Sequence, residues 1–194
     1  MTSYGENYGK GMLIGCVFTL IMTLGTLPML LPVYEGRTAG ALIIIASYVL
    51  LGLMLAFLGV KFRKEKNDSM PEVYGTAVFF VGCVFVIIGA AGLIANYAVT
   101  TSIGYQIHYT ITIILGIMAF VFGRMAVAAG QLEQYKIPIL ITFIAMMGVS
   151  VWGIAVGISS GEMIGMPMFN TLMISLVFTV FALKGGPAGN QTGC

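Results

Sequence analysis

Soft donors are the first groups in this chain with the makings of chemistry. Met163, Met166, Met168 and Met173 fall close together, Glu162 precedes them, and His108 is the one histidine. Thioether sulfur and imidazole nitrogen together suit a soft cation such as Cu(I). Met163, Met166, Met168 and His108 are therefore the candidate metal ligands, and copper is the ion they would hold. Weighing against this, the chain has 14 methionines, and the remainder are scattered. Methionine is also an adaptable apolar filler. Tyr97, Tyr105 and Tyr109 flank the histidine, as aromatic side chains do where a helix meets a membrane interface.

Other reaction chemistry is missing from the pattern. Cys16, Cys83 and Cys194 are far apart and form no C-x-x-C pair, so neither zinc nor a redox dithiol is indicated. One histidine cannot supply two axial ligands to a haem. No phosphate-cradling glycine motif is present; the glycines recur at packing intervals instead. No Asp, Glu or Lys falls at mid-depth of an apolar stretch, which disfavours proton relays, ion pumps and voltage sensing. The chain is not expected to be an enzyme by itself, and beyond copper no cofactor is suggested.

The elements that must position these residues follow from composition. The chain is 59% apolar and 8% charged, with a mean hydropathy of +1.01. A soluble domain carries roughly a quarter of its residues as charges. This is an all-α integral membrane bundle of about six transmembrane helices, and residues 1–194 form one transmembrane domain. The expected spans are 11–33, 39–60, 73–99, 109–129, 137–158 and 167–183, each apolar and near the length that crosses a hydrocarbon core. Pro28 should kink the first, and Pro138 should sit in the first turn of the fifth. A short connector is expected at 100–108.

Small residues set the expected packing. Gly75, Gly82 and Gly89 recur every seven residues, with Gly92 one turn further on. On the next span Thr112, Gly116, Ala119, Gly123, Ala126 and Gly130 alternate at spacings of four and three. Lipid provides no hydrophobic drive between helices, so close backbone approach along such seams holds neighbours together. Gly153 and Gly157 form a Gly-x-x-x-Gly pair on the fifth span.

Charge gives the expected orientation. Lys10, Lys61, Arg63, Lys64, Lys66, Arg124, Lys136 and Lys184 fall on the side of the termini, and only Arg37 falls opposite. Both termini should therefore be cytoplasmic, in a multi-pass protein of the cytoplasmic membrane. The net charge of +2 is no nucleic-acid footprint, because the basic residues stand beside apolar spans. Arg124 lies about 9 Å from the inner end of its span at 1.5 Å per residue. It is a candidate contact for a lipid headgroup or a partner subunit, with the bilayer and other membrane subunits as the expected partners.

The stretch from Phe79 to Gly116, a glycine-rich span, then the connector 96–108, then a second glycine-rich span, resembles uncharacterised small polytopic membrane proteins of archaea and bacteria. The resemblance covers part of the chain and implies no activity and no site residue. It implies company with accessory subunits of membrane oxidoreductases, copper-dependent monooxygenases among them. The function expected is that of a non-catalytic accessory subunit of a larger membrane complex. The alternative is a small oligomeric channel or carrier for a small solute or Cu(I), for which Thr19, Thr23 and Thr26 on the first span would offer a polar face.

Overall fold

A computed structural model describes residues 4–33, 38–65, 70–99, 103–159 and 165–184. Among the described residues there are six helices and no strand. They are α1 (Tyr4–Val33), α2 (Thr38–Glu65), α3 (Met70–Val99), α4 (Ile103–Ala129), α5 (Glu133–Ser159) and α6 (Gly165–Lys184). Five are long and apolar enough to cross a membrane. The 20 residues of α6 rise about 30 Å, the thickness of a hydrocarbon core. The outer surface carries Ile14, Ile21, Leu53, Phe57, Ile94, Ile114 and Ile141, all exposed. Water would reject such a surface and lipid accepts it. The chain is a multi-pass membrane bundle.

Several helices start before the apolar pattern does. α1 begins at Tyr4 and α5 at Glu133, so Pro138 stands in the second turn of α5 and not the first. α4 begins at Ile103, so Tyr105 and His108 are helical and the expected connector is largely absent. The reason is visible in the spacing. Tyr105, His108, Thr112, Leu115 and Ala119 recur at intervals of three and four and share one buried face. Polarity hides that face from a hydropathy reading. Between α4 and α5 the chain turns at Gly130, whose φ of 63° is the left-handed conformation that glycine adopts without strain.

Each helix packs chiefly on its neighbours in sequence, and α6 returns to touch α1. α1 and α6 are antiparallel, with the Tyr8 hydroxyl donating to the Phe181 carbonyl at 3.3 Å near one end. Further along, the Asn170 carboxamide meets Thr23. The start of α1 and the end of α6 therefore lie at the same end of the bundle, here the terminal end. Its interior is aromatic. Phe143 stacks on Phe178 at 5.1 Å between centroids, and Phe178 also meets Tyr74. Tyr74 is fully buried and donates its hydroxyl to the Phe178 carbonyl at 2.8 Å. In a water-free interior that bond satisfies a phenol that would otherwise stand orphaned.

The α3–α4 seam is backbone against backbone. A methyl group placed on Gly82 would lie 2.7 Å from the Gly116 carbonyl oxygen and would collide with the Phe120 amide. On Gly89 it would lie 2.9 Å from the Tyr109 carbonyl, and on Gly123, 2.8 Å from the Gly75 carbonyl. Ala119 and Ala126 are buried along the same face. Gly75 meets Val127 and Ala126. Gly130 is exposed in the turn and outside the seam. A second glycine crossing joins α1 to α2, where a methyl on Gly59 would lie 2.9 Å from the Gly9 carbonyl oxygen.

Candidate functional site

Away from the terminal end, α4, α5 and α6 converge on Gly153. A methyl on Gly153 would lie 2.7 Å from His108 Nδ1 and would overlap the Met168 sulfur. The imidazole of α4 and the thioether of α6 thus share the niche that a missing side chain leaves on α5. His108 uses it to reach the Val149 carbonyl, 2.9 Å from its Nδ1. A carbonyl only accepts, so Nδ1 carries the proton and Nε2 holds the lone pair. Tyr105, Tyr109 and Met168 form a small buried cluster around the niche, with Leu93, Ile154 and Val156 packed against it. Gly157, one turn beyond Gly153, is buried on the same helix.

Of the four candidate metal ligands, His108 and Met168 are brought together. Met163 lies outside the described residues, as do Glu162 and the side chain of Met166. With Nδ1 committed to Val149, Nε2 is the nitrogen of His108 left for an ion, beside one thioether. No group of three or more His, Cys, Asp or Glu side chains gathers among the described residues. The pair that is formed consists of soft and borderline donors.

A second polar constellation lies between α1, α2 and α6. The Asn170 amide group approaches Thr23 Oγ1 at 3.5 Å, and the Tyr48 hydroxyl pairs with Thr171 Oγ1 at 3.1 Å. All four residues are buried. Most spanning hydroxyls look after themselves, each donating to the carbonyl one turn back, as Thr23, Ser47, Thr112, Thr142, Ser150 and Thr179 do. Thr19 departs from this habit. Its Oγ1 and the Asn170 Oδ1 are buried without a hydrogen-bond partner. Thr19 stands one turn from Thr23 on the same face of α1, so both atoms belong to one neutral polar node inside the bundle. Of the three threonines proposed as a polar face, Thr19 and Thr23 line this node; the side chain of Thr26 is outside the described set.

The node was only half visible in the sequence. Asn170 and Tyr48 carry no charge and sit in apolar runs, so hydropathy passes over them. One signal was available: Asn is rare at the depth of a span and requires a hydrogen-bonding neighbour in lipid.

Arg124 is the third feature. It is exposed on α4, five residues or about 7.5 Å from the end of the helix, in line with the exposed Ile114, Ile117 and Val121. Among the described residues it makes no ion pair. Two ion pairs among the described residues, Lys10–Glu6 at 2.8 Å and Lys136–Glu133 at 3.8 Å, sit near the starts of α1 and α5.

Comparison with known proteins returns no matching family model, no matching curated protein and no matching solved structure. The functional reading therefore rests on the geometry of these three features.

Proposed function

We propose that this chain is a non-catalytic accessory subunit of a larger membrane complex. The observation that supports it is Arg124, a permanent charge standing on the lipid-facing stripe of α4 with no ion-pair partner among the described residues. A charge in that position is costly in lipid and is normally paired or drawn to the interface. A carboxylate on a neighbouring helix would neutralise it. The interior is close-packed through small-residue seams and an apolar core that holds no charged group to pair with it among the described residues.

The partner class we propose is a membrane oxidoreductase such as a copper-dependent monooxygenase. The support is the His108–Met168 pair, whose free imidazole nitrogen and thioether are donors that Cu(I) accepts. Extraction from the source membrane with an affinity tag tests the proposal. Co-purification of polypeptides of other mass, lost in Arg124→Ala, supports it. Recovery of this chain alone contradicts it.

A second reading, a small oligomeric carrier, is favoured by the Thr19–Thr23–Asn170 node. Unpartnered neutral oxygens inside a bundle are what a small polar solute would bind. Uptake by proteoliposomes, abolished in Asn170→Leu, would favour it over the subunit reading.

A further inference from the structure

At the terminal end, beside the Gly9–Gly59 crossing of α1 and α2, lies a cleft of about 470 Å³ lined by Glu6, Val60, Arg63 and Lys64. We propose that this cleft binds the phosphate of an anionic phospholipid headgroup. Neither reading of function above requires it.

The glycine crossing builds the cleft. A methyl on Gly9 would lie 2.6 Å from Arg63 Cγ, so the arginine stem lies across the bare backbone of α1. That contact fixes the base of the side chain while its guanidinium stays exposed. Lys64 is exposed beside it, and neither group pairs with a described residue. Glu6 lines the same cleft and would oppose an anion, but its Oε1 accepts from the Lys10 ammonium at 2.8 Å. Lys10, Arg63 and Lys64 against Glu6 leave two positive charges in excess. A planar guanidinium matches two phosphate oxygens at once, and the ammonium beside it adds a point charge.

The surface below selects a lipid over a free anion. Leu53, Phe57, Val60 and Lys64 follow each other at spacings of four, three and four, all exposed, on one stripe of α2. Leu53 to Lys64 spans about 16 Å, half the thickness of a hydrocarbon core. An acyl chain lying along the apolar part of that stripe would carry its phosphate to Lys64 and Arg63.

The test is native mass spectrometry of the purified chain with phosphatidylglycerol or phosphatidylcholine, comparing wild type, Arg63→Gln and Lys136→Gln. Both variants remove one positive charge, and Lys136 stands on α5, outside the cleft. Phosphatidylglycerol adducts should exceed phosphatidylcholine adducts in the wild type and fall roughly fivefold in Arg63→Gln, with Lys136→Gln unchanged. An equal fall in both variants would mean diffuse surface charge and overturn the proposal. So would retention in Arg63→Gln, or displacement of the lipid by millimolar inorganic phosphate alone. Thermal unfolding of each variant checks that an altered count reflects the site and not the fold.

Discussion

Gly82 and Gly116 each occupy the space that a side chain on the other would need. A methyl on Gly82 would lie 2.7 Å from the Gly116 carbonyl oxygen, and one on Gly116, 3.0 Å from the Gly82 carbonyl oxygen. Backbone cannot retreat as a flexible side chain can. The helices must separate along their length if either residue gains a carbon.

Gly82→Ala should therefore lower stability by about 1–3 kcal/mol, the usual cost of overpacking a close contact. Gly148 is the control, because a methyl there would meet nothing within 4 Å. Gly148→Ala should leave the unfolding temperature unchanged or raise it slightly, since alanine is the better helix former. Thermal unfolding in detergent reads both. Equal effects of the two substitutions would refute the seam as the packing centre.

How much of this was legible in the sequence depended on whether the signal was apolar or polar. Gly75, Gly82, Gly89, Gly116 and Gly123 stand out because small residues at heptad-like spacing have one use in lipid, and the structure places them in backbone contact. The number and order of helices were readable for the same reason. Helix starts were not. Tyr105 and His108 carry polar atoms, so a hydropathy reading assigned them to a connector, although their spacing matched the buried face of α4. The Asn170 node was missed because its parts lie on three helices, and no local pattern joins residues so far apart in sequence.

The node makes its own prediction. Thr23→Val removes the hydroxyl that the Asn170 amide group meets, leaving a further buried polar group unsatisfied. That should cost about 1–3 kcal/mol. Asn170→Leu added to it removes the orphan and should recover most of the loss, so the two effects should be strongly non-additive. Simple addition in a double-mutant cycle would show that the two side chains do not interact.

The soft-donor pair predicts a copper dependence. Cu(I) titration of the purified chain should show affinity roughly tenfold or more above that of a Met163/Met166/Met168 triple substitution to leucine. His108→Phe should give a similar loss by removing the imidazole beside Met168. Identical affinity across the three proteins would end the copper reading.

Lipid-facing charge is what separates a subunit from a self-contained bundle. Arg124→Ala should leave the stability of the isolated chain within about 0.5 kcal/mol of the original, as expected for an exposed residue that pairs with none of the described residues. A large loss would place its partner inside this chain.

The most direct measurement is native mass spectrometry of the tagged chain released from its source membrane. A complex with polypeptides of different mass, reduced in Arg124→Ala, is the predicted result. A monomer or a homo-oligomer with no other polypeptide would contradict the account.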